Sequence, residues 1–192
     1  MIPIALFLGI VGGPMQAPVK KPTIALAVIG ETSTSVIEQL RPVLRETFGV
    51  EIVAAPAFPF PPSAWNAARR QYRSTKLLDA LAAQKRPEWE RLLGIADADL
   101  YVPDLNFVFG EADSRRGVAV FSLARLHADA DDALFRRRSA TEAIHELGHT
   151  YRLSHCDDPA CVMWFSNTLA ESDRKGTRFC PRHSSELAEN RR

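Results

Sequence analysis

Cysteine is scarce in this chain: three residues in 192, Cys156, Cys161 and Cys180. An odd number cannot pair completely in disulfides within one chain. All three crowd into the last third, close to histidines, a pattern that favours metal binding over a disulfide framework. One disulfide with a free thiol is the competing reading. Charge of one sign is lacking too. Lysine and arginine number 24 against 23 aspartates and glutamates, a formal net charge of +1. Nucleic-acid binders usually carry a strong basic bias, so no nucleic-acid partner is expected. The densest basic run, Arg136-Arg137-Arg138, reads as the solvated face of a helix. No stretch reaches the roughly 18 apolar residues that span a bilayer, so there is no firm sign of a membrane partner. Internal repeats and low-complexity linkers are also missing. What is present suits one globular domain with a sizeable core, at 46% hydrophobic and 24% charged residues.

Residues 1–19 form an N-terminal apolar segment. Ile2 to Gly13 is almost wholly apolar, and Lys20 and Lys21 follow. A secretory signal cut after Ala17, or an anchor, would have this h-region. The segment lacks the positively charged start of a signal, and Pro18 would follow the cut. A buried first strand or an added tail is the plainer reading. Export and cytoplasmic residence both stay open.

Thr23 to Ile29, apolar and rich in β-branched residues, is predicted to be a buried strand ended by Gly30. Ser33 or Thr34 caps a helix through Val36, Ile37, Leu40, Val43 and Leu44, and Gly49 stops it. Val50 to Ala54 is a second strand. Pro56, Pro59, Pro61 and Pro62 then forbid regular structure. A helix is expected from Ser63 through Tyr72, another from Thr75 to Ala83, and a short helical turn from Pro87 carrying Trp89, Leu92 and Leu93. Leu100–Val102, Phe107–Phe109 and Val118–Leu123 read as strands. Asp131 or Asp132 opens a long helix to about Thr150, followed by loops and short helical pieces. The order predicts one α/β domain with a small C-terminal lobe.

The chemistry concentrates in His145-Glu146-Leu147-Gly148-His149. Residues four apart on a helix share a face, so both imidazoles can reach one zinc ion. Glu146 lies beside the metal's open side, where it can take a proton from water. His155 follows six residues after His149, past the helix end. A sharp turn brings it back as third ligand and leaves one position open, the arrangement of a catalytic zinc. Two surface histidines on an ordinary helix are the bland alternative, which the third histidine disfavours. A thermolysin-like site with Glu171 as third ligand is the competing arrangement. His127, a lone histidine, reads as a surface or capping residue. Trp65, Trp89 and Trp164 read as core or cleft packing.

Read to His155, the motif resembles the metzincin pattern H-E-x-x-H-x-x-G-x-x-H, with Met163 eight residues on as the methionine turn. More narrowly, the chain resembles the archaemetzincins. That family adds a cysteine after the third histidine, a second five residues on, the methionine two further, and a Cys-x-x-Cys pair downstream. Cys156, Cys161, Met163 and Cys180 match. The stretch Asp99 to Ala112 and the segment Arg69-Arg-Gln-Tyr72 also resemble the family, and the likeness covers about Thr23 to His183. It implies a compact metzincin-like α/β fold with a mixed twisted sheet, a long active-site helix and a loop-rich C-terminal lobe pinned by zinc. The peptidase domain would run over 20–185, with 186–192 a polar tail. It implies a zinc metallopeptidase acting on peptides or proteins, with Glu146 as catalytic base, and Phe107 to Phe109 as the edge strand on which a peptide pairs. A monomer is expected. A zinc-stabilised peptide-binding module with little or no hydrolysis is the alternative.

Two positions depart from the family. Arg152 stands where the family has the glycine that turns the chain in a left-handed conformation. It would also stand near the metal, where it would disfavour basic substrate residues. His183 replaces the last cysteine, and imidazole is an accepted zinc ligand beside thiolates. Two zinc ions per chain are therefore expected, a catalytic one on His145, His149 and His155 and a structural one on Cys156, Cys161, Cys180 and His183.

Overall fold

The first apolar run folds as expected into strand β1 (Thr23–Ile29), buried along almost its whole length. After it come α1 (Ser35–Phe48), β2 (Glu51–Ala54), β3 (Trp65–Asn66), β4 (Gln71–Arg73), α2 (Ser74–Gln84), β5 (Arg91–Ala96), β6 (Leu100–Tyr101), β7 (Gly110–Asp113), β8 (Val118–Ser122), α3 (Asp132–Thr150), α4 (Leu169–Arg174) and α5 (Pro181–Asn190). These elements belong to a computed structural model that describes residues 22–191, so the expected signal or anchor at 1–19 lies outside the described residues. No helix among the described residues is long and apolar enough to cross a membrane.

Five strands form one mixed sheet in the order β2-β1-β5-β8-β7. The first four run parallel, and β7 closes the edge antiparallel to β8. Parallel strands need cover on both faces, and alternate residues supply it. Ile24, Leu26, Val28, Leu93, Ile95, Ala119 and Phe121 share a core with α1 and α3. Ala25, Ala27, Ile29, Leu92, Ala96, Val118 and Val120 share a second core with α2. A smaller sheet, β3-β4-β6, lies beside the main one. The fold is thus α/β with a mixed sheet and a long helix, as the sequence leads one to expect.

Several local expectations are corrected. Ser63 to Tyr72 is not a helix: a single 3-10 turn at Pro62–Ala64 leads into β3 and β4. The Tyr72 ring is taken by Phe60 and Trp65, at 4.1 and 4.9 Å between centroids. That packing holds the segment extended, and Trp65 is itself exposed, on the surface rather than in a core. The expected helical turn at Leu92 and Leu93 is β5, because a short apolar run between β1 and β8 is worth more as a central strand. Phe107 to Phe109 carries only one bridge, Val108 to Leu100, and the edge strand proper begins at Gly110. Arg138 is buried rather than solvated. It donates to Asp173 Oδ1 and Oδ2 at 2.7 Å each and to the carbonyls of Leu126 and Ala128. A forked pair of that kind fixes α4 against α3. Residues 186–190, expected as a polar tail, continue α5: Leu187 is buried, Asn190 donates to the Tyr151 carbonyl at 2.8 Å, and Arg191 after it donates to that of Phe48.

Candidate active site and metal clusters

Helix α3 carries the central motif. Asp131 caps it, accepting from the Leu134 amide at 2.8 Å, and Ala140, Ala143, Ile144 and Leu147 bury its inner face. It ends in a Schellman turn: the Arg152 amide donates to the His149 carbonyl at 2.9 Å and the Leu153 amide to that of Gly148 at 3.2 Å. Arg152 adopts φ +64, the left-handed conformation that the family's glycine would take. The turn is therefore made without glycine, at a cost of roughly 1–2 kcal/mol.

That turn folds His155 back over the helix. His145, His149 and His155 offer ring nitrogens that all lie within 4.8 Å of one another. The two helical rings are oriented by carbonyls. His145 Nδ1 sits 2.8 Å from the Val162 carbonyl and His149 Nδ1 2.8 Å from that of Leu153. A carbonyl accepts only, so each Nδ1 carries the proton and each Nε2 presents a bare lone pair. Those lone pairs face each other at 3.1 Å. Two acceptors so close repel unless a cation lies between them, and tetrahedral zinc with Zn–N of about 2.0–2.1 Å wants a separation of about 3.3 Å. Burial holds His145 well below its ordinary pKa and lowers His149 to about 4, so both rings stay neutral, as a ligand must. The donor set fits zinc.

Glu146 is buried on the same face. Burial, then repulsion from Glu142, pushes its carboxyl well above the ordinary range. It lines a cavity of about 410 Å³ together with His145, His149, His155, the rim Leu105–Ala112 and the wall residues Phe165, Ser166 and Asn167. Arg152 does not line this cavity, so nothing places its charge against a substrate. The rim is braced from behind. Arg69 donates to the carbonyls of Leu105 and Asn106 at 2.7 and 2.9 Å, and Gln71 to that of Asn106 at 2.9 Å. Gln71 is held in turn by Asp99, whose carboxylate is forked by Arg125 at 2.7 and 2.8 Å. The conspicuous segments Arg69–Tyr72 and Asp99–Ala112 therefore serve the cleft rim.

Cys156, Cys161, Cys180 and His183 form a second cluster, again within 4.8 Å. All three thiols are free. Cys156 and Cys180 lie 3.8 Å apart at sulfur, far from the roughly 2.05 Å of a disulfide. His183 Nδ1 lies 3.5 and 3.4 Å from Cys161 and Cys180. Tetrahedral zinc with Zn–S of about 2.3 Å wants about 3.8 Å between sulfurs and about 3.6 Å from sulfur to nitrogen. Burial raises the Cys161 thiol to about 11, so it would stay protonated without a cation beside it. This set also fits zinc. The loop between the clusters is tied by the Cys156 amide to the Met163 carbonyl at 2.9 Å, and Met163 is fully buried beneath α3.

Glu171 joins neither cluster. It is the third residue of the α4 capping box and accepts from the Asn167 and Thr168 amides, which removes the thermolysin-like arrangement. His127 stacks on Phe135 at 4.1 Å, away from both clusters. Trp89 is buried, as expected, and Trp164 is half-buried. Sequence reasoning missed one buried ion pair on the cleft wall. Lys175 Nζ lies 3.2 Å from Glu142 Oε1, with both side chains at most 2% exposed, and Ser172 donates to the same oxygen at 2.7 Å. Glu142 stands one helical turn before Glu146, the only hint available in the sequence.

The model of peptidase family M54 matches residues 23–189. The archaemetzincin of Methanopyrus kandleri is 41% identical over 157 residues, covering 82% of this chain and 89% of that protein. That of Archaeoglobus fulgidus is 40% identical over 151 residues, covering 79% and 90%. The crystal structure of the Methanopyrus kandleri protein superposes with a TM-score of 0.81 at 37% identity, over 92% of this chain and 98% of that one. A zinc-dependent peptidase from Methanocorpusculum labreanum gives 0.76 at 27% identity, over 85% and 99%.

Proposed function

The chain belongs to peptidase family M54, and from that premise we propose that His145, His149 and His155 hold the catalytic zinc of a peptide-bond hydrolase in which Glu146 is the general base. The observation that carries this reading is the pair of facing, carbonyl-oriented Nε2 atoms 3.1 Å apart in a cavity that Glu146 also lines. Zinc, when bound, supplies Lewis acidity and lowers the pKa of water to about 7. The remaining work belongs to the chain. An extended peptide lies along the rim Phe107–Gly110, and Arg69 and Gln71 hold the Leu105 and Asn106 carbonyls at the start of that rim from behind. Glu146, which lines the cavity beside the three histidines, takes a proton from the attacking water and delivers it to the leaving amine. The Val162 and Leu153 carbonyls keep the two helical imidazoles in one tautomer throughout.

A second zinc on Cys156, Cys161, Cys180 and His183 pins the loop that carries Met163, giving two per chain. The non-hydrolytic alternative rested on Arg152, and the left-handed turn at that residue removes its support. A peptide library digested by the purified chain, read by mass spectrometry, should yield new termini that disappear with a chelator and return with zinc. A library left intact by the zinc-loaded protein would overturn the proposal.

A further inference from the structure

Gly110 opens the edge strand, pairs with Phe121 and forms part of the cleft wall. Its backbone has no positive φ, so the conformational freedom of glycine is not what the position uses. What it uses is the missing side chain. A Cβ at this position would lie 2.5 Å from Glu146 Cγ, 2.6 Å from Cδ and 2.6 Å from Oε1. Non-bonded carbons prefer about 3.5–4.0 Å. The Glu146 carboxyl group therefore rests directly on the bare Cα of Gly110.

The surroundings fix what a methyl group there would do. Gly110 is held by the β7–β8 ladder, and α3 is locked between the sheet and α4. Backbone on either side has little room to yield. The part free to move is the end of the Glu146 side chain, whose χ angles can swing the carboxylate away from the strand. Gly94 is a useful contrast, because its added Cβ would strike Leu81 and Ile29 in the apolar core and no reacting group.

We propose that Gly110 is a positioning residue: its lack of a side chain sets where the Glu146 carboxylate stands, and any larger residue evicts the base while sparing the fold and the metal. The proposal rests on Glu146 being the general base. Misplacing a catalytic group by about 1 Å can cost about 100-fold in rate.

The test uses the zinc-loaded chain and four proteins: parent, Gly110→Ala, Glu146→Asp and the double variant. Gly110→Ala should lower kcat at least about 100-fold with KM within about threefold, since removal of general-base catalysis is typically worth 10² to 10⁴. Zinc content and melting temperature should match the parent, and a crystal structure should show the carboxylate displaced. Glu146→Asp shortens the side chain by one methylene and should slow the parent. In the Gly110→Ala background the same change should cost far less or restore rate, because it makes the room the methyl group took. Near-parental turnover of Gly110→Ala, loss of its zinc or its fold, or strictly multiplicative losses in the double variant would each overturn the proposal. Glu146→Gln separates this failure from that of its premise. An active Glu146→Gln protein refutes the base, whereas an inactive one beside an active Gly110→Ala refutes only the positioning role.

Discussion

The two ligand clusters are joined by one peptide bond, between His155 and Cys156, yet they are built in opposite ways. The histidine cluster opens onto a cavity. Two of its members stand on one helix, their ring orientations set by carbonyls, and the third is exposed. The cysteine cluster is closed. Its members come from a loop and the start of α5, and three of the four are buried. The difference separates two tasks. An open site must keep a face free for substrate, so it can afford few contacts around its third ligand. In the reading proposed above, the closed site makes up for this by fixing the residue next to that ligand.

The comparison can be broken first at the open site alone. Glu146→Gln should reduce turnover by 10² to 10⁴ or more while both metals stay bound, as read by peptidase rate beside elemental analysis. A variant that loses a metal would mean that Glu146 also holds one. Next in size is the pair that fastens the C-terminal lobe to α3. Lys175→Met strands Glu142 in a buried environment and should cost about 3–5 kcal/mol in a urea titration. The Glu142→Leu/Lys175→Met double variant should recover most of that. A loss below about 1 kcal/mol in the single variant would show that the pair fastens little.

The closed site is broken by His183→Ala, which removes one of four ligands. Zinc stoichiometry under chelator competition should drop from two to one, and the peptidase rate should fall severalfold although His183 lines no part of the cleft. His183→Cys should restore both. Retention of two tightly held zinc ions in His183→Ala would assign the fourth ligand elsewhere. The smallest effect lies at the turn that serves both clusters. Arg152→Gly relieves roughly 1–2 kcal/mol of left-handed strain but adds roughly 0.5–1 kcal/mol of chain entropy to lose. Thermal melts should show stabilisation of at most about 1 kcal/mol, with an unchanged cleavage profile. Clear destabilisation would mean that the Arg152 side chain contributes more than the turn costs.

The parts legible in sequence were those governed by local rules. Helix α3 announced itself by its cap and its motif, β1 and β8 by β-branched apolar runs, and α1 by its spacing and Gly49. Both candidate ligand sets came from spacing and a family likeness, and the fold brings the residues of each within 4.8 Å of one another. What stayed hidden depends on partners far along the chain. Leu92 to Ala96 is too short to declare itself strand or turn until β1 and β8 flank it. The segment from Ser63 to Tyr72 has residues compatible with a helix, and only the aromatic contacts of Tyr72 override them. Glu142 and Lys175 look like ordinary charged residues until the fold buries them against each other. Gly110 sat in plain view within a stretch noticed for other reasons. Its significance lies in the empty space beside it, which no letter encodes.

Helix α3 spans 19 residues and places His145 and His149 in its last turns, not in its middle. Its peptide dipoles point their negative ends at that terminus, where the closing carbonyls lack partners within the helix. A cation held there gains roughly 0.3–1 kcal/mol before any ligand bond is counted. The polarity of the helix thus biases this end of the molecule toward positive charge, and a peptide arriving at the cleft meets a field that the backbone itself supplies.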